Sequence, residues 1–318
     1  MKISVVIPSY KVKSKILGVL EKIGPEVHRI YVIDDKCPEN SGDFVKQNCQ
    51  DPRVKVIYHD KNQGVGGAVI TGYKMAIEEK MDIAVKIDGD GQMNPELLHA
   101  FTAPIEARLY DYTKGNRFYR IDDVKQMPLM RLLGNTGLSF ITKASTGYWQ
   151  LFDPTNGYTA ISVECLKNME LDKTSKRYFF ESDLLFRLNI IGANIKDIPM
   201  TAVYEDEQSN LRISKIFFPF IKGHAKNFSK RILYDYFLRD FSLATITLVF
   251  GLLFLVFGVG FGSYHWYRAL QDHTTATSGT VMLAALPVII GTQLLLSFIN
   301  YDISKSRSLQ RATFEIKG

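Results

Sequence analysis

Two long uncharged runs near the carboxyl end constrain this chain more than any other feature. No Asp, Glu, Lys or Arg occurs from Phe241 to Tyr267, and none occurs from His273 to Tyr301. A helix needs about 20 predominantly apolar residues to cross the hydrocarbon of a bilayer. The runs therefore predict two transmembrane helices, at about 241–263 and 279–301, within a membrane segment that covers 240–302.

The charges that flank these runs predict their orientation. The chain has a net charge of +6, yet residues 1–214 contain 28 basic and 28 acidic side chains. The excess lies in 215–240 and 302–318, on either side of the predicted hairpin. By the positive-inside rule, we expect both termini and residues 1–210 in the cytoplasm, and a multi-pass protein of the cell inner membrane. A basic excess confined to membrane flanks suits anionic lipid, so nucleic acid is not an expected partner.

The residues next to the hairpin are predicted to lie on the membrane surface. Residues 211–239 mix Phe and Ile with Lys and Arg, a pattern typical of interfacial helices. Pro219 and Gly223 interrupt the pattern, so two short amphipathic helices are expected there. Residues 303–318 are predicted to form a basic cytoplasmic tail. The three widely spaced cysteines predict neither a disulfide framework nor a zinc site.

Residues 1–210 are predicted to form a doubly wound α/β domain. Short apolar runs alternate with helix-compatible segments, which indicates a mostly parallel sheet with right-handed crossovers. The predicted strands are Ile3–Ile7, Ile30–Ile33, Val54–Tyr58, Ile83–Ile87 and Tyr110–Lys114, and the predicted helices in the first half are Ser14–Ile23, Ser41–Asn48, Gly66–Glu79 and Pro95–Ile105.

The end of the fourth predicted strand carries the clearest chemical signal. The apolar run Ile83–Ile87 is followed by Asp88-Gly89-Asp90-Gly91-Gln92. In open α/β sheets, ligands bind beyond the carboxyl ends of the strands. Carboxylate and amide oxygens suit a hard cation such as Mg²⁺ or Mn²⁺, which keeps other positions for phosphate oxygens. The same residues would also suit a simple surface turn.

Other strand ends fit a nucleotide. The first strand runs into Pro8 and Tyr10, and the second runs into Asp34 and Asp35. A tyrosine can stack on a base, and a carboxylate can accept hydrogen bonds from ribose or base. The third strand leads into residues 62–68, where glycines would let the backbone approach a ligand or form a tight turn. That segment matches neither a P-loop nor the dinucleotide fingerprint.

In this order, the motifs resemble those of family-2 glycosyltransferases, which have the GT-A fold. Over roughly residues 1–205, the chain is most similar to polyprenyl-phosphate sugar transferases of the dolichol-phosphate mannose synthase type. It departs from them at Lys11-Val12, where the family usually has Asn-Glu, and at Lys36-Cys37-Pro38, where a Gly-Ser pair is usual.

The resemblance implies roles for the residues at the strand ends. Asp88 and Asp90 would hold the nucleotide diphosphate through the metal, with Asp90 and Gln92 as the nearest ligands. The implied metal ligands are thus Asp88, Asp90 and Gln92, and the implied nucleotide-sugar-binding residues are Pro8, Tyr10, Asp34, Asp35, Asn62, Gly66, Asp88 and Gly89.

Two arginines are expected to bind phosphate. Arg117 lies in a segment similar to the family's Gly-x-Arg element, and Arg131 follows about one crossover later. The planar guanidinium donates two parallel hydrogen bonds, which suits phosphate. We assign both to the acceptor phosphate, with the donor diphosphate as the alternative. For Arg131, a solvated helix face is a further alternative.

Three carboxylates complete the expected site. Asp153 occupies the place of the family's Asp-x-x-x-Gly-Phe/Tyr segment, where it could bind sugar hydroxyls or steady a cation. Glu181 and Asp183, in the predicted helix Tyr178–Leu188, resemble an acidic pair near the acceptor. The alternative for this pair is a favourable interaction with the helix macrodipole. The expected catalytic residues are Asp90, Arg117, Arg131 and Asp153, and the expected acceptor region is Arg117, Arg131, Glu181 and Asp183.

The expected reaction is transfer of one sugar, with inversion, from a nucleotide-sugar to a polyprenyl phosphate, for modification of a cell-envelope glycan. A UDP-sugar is slightly preferred over GDP-mannose. A lipid phosphate is already anionic at neutral pH, so a strong base is not required. One alternative is transfer to a hydroxyl, although the Gln-x-x-Arg-Trp motif of processive synthases is missing. Another is a non-catalytic membrane subunit that binds nucleotide-sugar. Homo-oligomerisation stays open.

Overall fold

The computed structural model describes residues 1–119, 129–201 and 213–316, without the side chains of residues 129–131, 133, 213–217 and 307–316. The chain divides into two compact units. The first comprises residues 1–229 with 309–318, and the second comprises residues 230–308.

The first unit contains a seven-stranded sheet. Its strands are β1 (Ile3–Ser9), β2 (Val27–Asp34), β3 (Val54–Tyr58), β4 (Ile83–Lys86), β5 (Tyr112–Asn116), β6 (Thr159–Ser162) and β7 (Ile195–Pro199). The order across the sheet is β3-β2-β1-β4-β6-β5-β7. All neighbouring strands are parallel except β6, which is antiparallel to both β4 and β5. The mostly parallel sheet and the five strands predicted from the sequence are thus confirmed, with ends shifted by up to three residues.

Helices cover both faces of the sheet because the buried strands are apolar on both sides. The helices of this unit are α1 (Ile16–Glu21), α2 (Ser41–Asn48), α3 (Val65–Glu78), α4 (Leu98–Glu106), α5 (Leu129–Thr146), α6 (Val163–Lys167) and α7 (Phe180–Ile190). One core layer packs α3 and α7 against side chains such as Val6 and Ile33. The other packs α1, α2 and α4 against Val5 and Ile7.

A single helix, α8 (Ile213–Leu233), replaces the two short helices expected before the membrane segment. Pro219 lies inside it, and a π-helical turn, Tyr234–Leu238, follows. The expected break at Gly223 was wrong because this glycine packs on the ring of Phe179. A Cβ added at Gly223 would lie 2.6 Å from that ring. Tertiary packing thus holds the helix together where local propensity would interrupt it.

The second unit is a pair of long helices, α9 (Leu243–Gln271) and α10 (Ser278–Ile316). Leu243–Gln271 and Ser278–Ser306 are long and apolar enough to cross a membrane, and few of their side chains are buried. Gly251 and Gly258 on α9 let the backbones approach, since a Cβ at Gly258 would lie 2.8 Å from the carbonyl oxygen of Ala284. Close contact at small residues is typical of helix pairs in membranes.

Candidate active site at the carboxyl ends of the strands

The candidate site lies where β1, β2, β4 and β5 end. Because β6 runs antiparallel between β4 and β5, its Thr159 is the register partner of both Lys86 and Lys114. The residues that follow these lysines, Asp88 and Arg117, therefore leave the sheet at the same edge. This edge lies beside the point between β1 and β4 where the strand order across the sheet changes direction.

The Asp88–Gln92 turn presents oxygen donors. Gly91 has a φ of +79°, which a side chain would disfavour. The backbone N–H of Gln92 donates to Asp90 Oδ1 at 3.0 Å, and both side chains are partly exposed. Within the described residues, no group of three or more His, Cys, Asp and Glu side chains could hold a metal by itself. A carboxylate and an amide with open positions suit Mg²⁺ or Mn²⁺ that also binds phosphate oxygens.

Lys86 is a site residue that sequence reasoning missed. Its ammonium lies 3.0 Å from Asp88 Oδ1 and 3.4 Å from Glu181 Oε1, and its side chain is only 2% exposed. Burial alone would lower the pKa of Lys86, but the two carboxylates outweigh burial and hold that pKa above its usual value. A lysine within the otherwise apolar run Ile83–Ile87 was the available signal. Lys86 links Glu181 to the Asp88–Gln92 turn across 95 residues of sequence.

Asp34 and Asp35 order the loops around them. Asp34 accepts hydrogen bonds from the backbone N–H groups of Cys37 and Gly42, at 2.7 and 2.6 Å. Asp35 accepts from His59 Nδ1 and from the backbone N–H groups of Gln63 and Gly64, each at 2.8 Å. Both carboxylates are nearly fully buried. Their contact with a nucleotide stays a prediction.

The glycine-rich turn is packed on the protein itself. A Cβ at Gly66 would lie 2.6 Å from the carbonyl oxygen of Ser175, and the N–H of Gly67 donates to the carbonyl of Lys176 at 3.0 Å. The side chain of Asn62 donates to the carbonyl of Asp35 at 3.1 Å. The small residues here admit the segment before α7, and a nucleotide contact for Asn62 and Gly66 stays a prediction.

The end of β1 offers an exposed aromatic ring. Tyr10 is 45% exposed, and the ammonium of Lys11 lies 5.8 Å from its ring centre. Pro8 is half-buried. Gly89 lies against Ile7, which a Cβ there would approach to 3.2 Å. This arrangement leaves a ring face that could stack on a base.

Arg117 and Asp153 form a two-point ion pair. Nε and Nη2 of Arg117 each donate to one oxygen of Asp153 at 2.7 Å, and the backbone N–H of Arg117 donates to Asp153 Oδ2 at 3.1 Å. Burial would raise the pKa of Asp153, but Arg117 outweighs burial and holds it below its usual value. Asp153 therefore orients Arg117, and this geometry does not suit a proton acceptor. The side chain of Arg131 lies outside the described residues.

The predicted acidic pair on α7 divides into two roles. Glu181 faces Lys86, as described above. Asp183 accepts from the backbone N–H of Ser175 at 2.8 Å and from the side chains of Arg187 and Asn227, at 3.1 and 3.0 Å. Asp183 thereby ties α8 and the segment before α7 to α7 itself.

A second buried lysine, Lys114, was also missed. Its ammonium donates to the carbonyl oxygens of Phe152 and Asp153, each at 2.6 Å, and lies 3.5 Å from Asp197 Oδ1. Burial raises the pKa of Asp197. A lysine in β5, within a run of buried residues, was the signal that could have found this cluster.

Comparison with known families gives a match over more than half of the chain. The model for glycosyl transferase family 2 matches residues 4–169. A UDP-N-acetylglucosamine–dolichyl-phosphate N-acetylglucosaminyltransferase of Methanococcus voltae is 32% identical over 64% of this chain and 86% of its own length. An undecaprenyl-phosphate mannosyltransferase of Micrococcus luteus is 30% identical over 64% of this chain and 84% of its own length.

Solved structures share the fold. Glucosyl-3-phosphoglycerate synthase of Mycobacterium tuberculosis in complex with UDP superposes with a TM-score of 0.56 at 17% identity, covering 72% of this chain and 80% of that one. The same enzyme with Mn²⁺, UDP and phosphoglyceric acid gives a TM-score of 0.52 at 16% identity, over 72% of this chain and 78% of that one. At this identity the likeness carries the GT-A-like fold alone.

Proposed function

Since the chain belongs to glycosyl transferase family 2, we propose that it transfers one sugar from a nucleotide-sugar to a polyprenyl phosphate. The observation that carries this proposal is the Asp88–Gln92 turn at the carboxyl end of β4, in one chain with two helices long and apolar enough to cross a membrane. Relatives named for transfer to dolichyl or undecaprenyl phosphate support the same acceptor class.

The proposed reaction is a single in-line displacement. An oxygen of the lipid phosphate attacks the anomeric carbon, the bond from that carbon to the nucleoside diphosphate breaks, and the anomeric configuration inverts. A phosphate monoester has a second pKa of about 6, so the attacking oxygen is already an anion at neutral pH. The protein must therefore align the two substrates and reduce their charge repulsion, and it need not supply a strong base.

Asp90 and Gln92 would hold a divalent cation, with Asp88 beside them. When bound, Mg²⁺ or Mn²⁺ supplies positive charge that stabilises the departing diphosphate. Asp88 is held by its ion pair with Lys86 at 3.0 Å, and Asp90 Oδ1 accepts the backbone N–H of Gln92 at 3.0 Å. Solved GT-A structures that hold UDP with Mn²⁺ or Mg²⁺ support a cation of this class.

Arg117 would bind phosphate of the acceptor. Its side chain is 24% exposed, and Asp153 fixes the direction of the guanidinium. A held guanidinium meets a phosphate with little further loss of side-chain entropy. The donor diphosphate is the alternative ligand for Arg117, and Arg131 is proposed to act with it.

We propose that α8 lies on the cytoplasmic surface of the inner membrane. Its inward side bears His224 and Asn227, which are buried against the sheet domain. The outward side exposes Phe218, at 77%, together with Ile221 and Lys222. Apolar and basic side chains on one exposed helical side suit the boundary between headgroups and hydrocarbon. This placement would let a lipid phosphate reach the site.

The function is tested with full-length protein in nanodiscs that contain undecaprenyl phosphate. UDP-N-acetylglucosamine, UDP-glucose and GDP-mannose are supplied in turn with Mg²⁺ or Mn²⁺, and the lipid product is identified by mass spectrometry. We expect one lipid-linked monosaccharide, from a UDP-sugar. Asp90→Asn should lower the rate by about 100-fold or more, the scale of losing one electrostatic contact to developing charge.

Asp172→Asn is the matched control, because it makes the same chemical change at an exposed carboxylate that pairs with Lys74 on the surface. It should keep the wild-type rate. Product that stays water-soluble with added sugar or peptide acceptors would instead favour transfer to a hydroxyl. Absence of nucleotide-sugar turnover with all three donors would favour a non-catalytic subunit.

A further inference from the structure

Lys114 is a buried charged residue with no role in the proposed reaction. We propose that it is a positioning residue for Arg117, acting through the main chain of Phe152 and Asp153. The inference rests on the proposed function, which assigns Arg117 to the acceptor phosphate. Lys114 itself cannot touch substrate, because its side chain is only 1% exposed.

The ammonium of Lys114 holds two consecutive peptide groups. It donates to the carbonyl oxygens of Phe152 and Asp153 at 2.6 Å and to that of Gly115 at 3.1 Å. An ammonium has three hydrogens, so these three contacts use all of them. Asp197 completes the arrangement, because its Oδ2 accepts the N–H of Phe152 at 2.9 Å while its Oδ1 faces Lys114. The Phe152 peptide is thus held at both its N–H and its carbonyl.

These hydrogen bonds hold Asp153 in a backbone conformation that is unfavourable by itself. Asp153 has a φ of +53°, in the left-handed region that residues with a side chain rarely adopt. Asn156 also contacts Asp153, donating its backbone N–H to the carbonyl and its side-chain N–H to Oδ2, each at 3.2 Å. Local strain of this kind persists only where surrounding contacts hold it.

This backbone conformation sets the orientation of the Arg117 guanidinium. From it, the Asp153 carboxylate accepts Nε, Nη2 and the backbone N–H of Arg117. A bidentate pair fixes the plane of the guanidinium as well as its position. Loss of the hydrogen bonds from Lys114 to Phe152 and Asp153 would therefore change the orientation of the Arg117 guanidinium without removing any group that contacts Arg117 directly.

The test is a double-mutant cycle on the full-length protein in nanodiscs, with undecaprenyl phosphate as acceptor and the donor that gives turnover. The variants are Lys114→Met, Arg117→Lys and the double variant. Lys114→Met should raise the apparent KM for undecaprenyl phosphate by about tenfold, with the donor KM changed by less than about twofold. In the Arg117→Lys background, Lys114→Met should raise this KM by less than about a further twofold, since the oriented guanidinium is already absent.

Lys143→Met is the matched control. Lys143 also contacts Phe152, with its ammonium 5.1 Å from the ring centre, but it does not hold the carbonyls. It should leave both KM values and kcat at the wild-type level. Equal effects of Lys114→Met with and without Arg117→Lys would overturn the proposal, as would a loss confined to kcat.

Loss of a buried cation can prevent folding, so Asp197→Asn is run in the same cycle. It removes the charge that faces Lys114 and keeps an oxygen for the N–H of Phe152. The same non-additivity with Arg117→Lys is expected, with a smaller rise in KM; additivity would overturn the proposal. If wild-type protein turns over no donor, the proposed function fails, and the cycle is read on binding of undecaprenyl phosphate by native mass spectrometry.

Discussion

The ammonium of Lys86 lies 3.0 Å from Oδ1 of Asp88, and the same ammonium reaches Glu181 at 3.4 Å. One buried ammonium therefore joins the Asp88–Gln92 turn after β4 to the first turn of α7. The side chain of Lys86 is only 2% exposed, whereas the side chain of Asp88 is 29% exposed. The ion pair with Lys86 therefore holds Asp88 at the edge of the candidate site.

Lys86→Met should destabilise the protein strongly, because it leaves two carboxylates close together without their cation. Removing one partner of a buried ion pair costs about 3–5 kcal/mol. Lys55→Met is the control, since Lys55 pairs with Glu79 at an exposed site and such pairs contribute at most about 1 kcal/mol. Urea unfolding in detergent micelles measures both. Equal midpoints for the two variants would contradict the importance assigned to Lys86.

Gly157→Ala should abolish most activity. A Cβ at Gly157 would lie 2.4 Å from Asp88 Oδ2 and 2.5 Å from Lys86 Nζ, so this ion pair would have to move. Gly134→Ala is matched to it, because a Cβ at Gly134 meets nothing within 4 Å in helix α5. We expect at least a tenfold loss of rate for the first variant, about 1.4 kcal/mol in the barrier, and none for the second. Wild-type rates for Gly157→Ala would show that the pair tolerates displacement.

The stability of the sheet domain should fall on acidification because of His224. The ring packs edge-on against Phe179 at 4.9 Å, and Nδ1 lies 2.8 Å from Ser145 Oγ. Burial lowers the pKa of His224 to about 4. The folded pKa lies below the unfolded value of about 6.5. The contribution of neutral His224 to stability is therefore fully present above about pH 6.5 and is lost as the pH falls toward 4.

For His224, the expected loss is about 2 kcal/mol between about pH 7.5 and about pH 5. His224→Gln removes this titration, so the variant should lose less stability than wild type over the same interval. Thermal unfolding of both proteins at the two pH values measures the difference. Parallel pH dependence in the two proteins would place the sensitivity at another group.

A buried ion pair should control the stability of the helical unit. Arg231 donates to both oxygens of Asp302, at 2.7 and 3.0 Å, and the hydroxyl of Tyr236 donates to Oδ1 at 2.6 Å. Asp302→Asn removes the nearer carboxylate from the buried guanidinium, which Asp235 approaches to 3.9 Å, and should cost about 3–5 kcal/mol. Joint replacement, Arg231→Met with Asp302→Met, should recover most of that loss.

The control for the helical unit is Arg268→Met, because Arg268 and Asp272 form an exposed pair at 3.7 Å. It should leave the melting temperature in detergent unchanged. A double variant less stable than Asp302→Asn would argue that the ion pair itself, rather than relief of an unpaired charge, stabilises these helices.

The sequence by itself determined the class of this protein, because its main signals are local. Alternating apolar runs predicted the strands, and two aspartates after the fourth strand predicted the candidate site. Long uncharged runs predicted the two helices of the second unit, since length and uniform apolarity need no partner to be recognised. Asp90 and Arg117 were assigned from short motifs, which are also local, and their roles stay predictions.

Only the tertiary structure decided which group each charged side chain contacts. Lys86 was missed because Glu181 is 95 residues away in sequence and is brought close by α7 packing on the sheet. Asp153, expected to bind sugar hydroxyls or steady a cation, forms a two-point ion pair with Arg117 that no local pattern predicted. Gly223, expected to break a helix, admits the ring of Phe179. Propensity and motif act over a few residues, whereas burial and charge pairing depend on segments that meet only after the chain has folded.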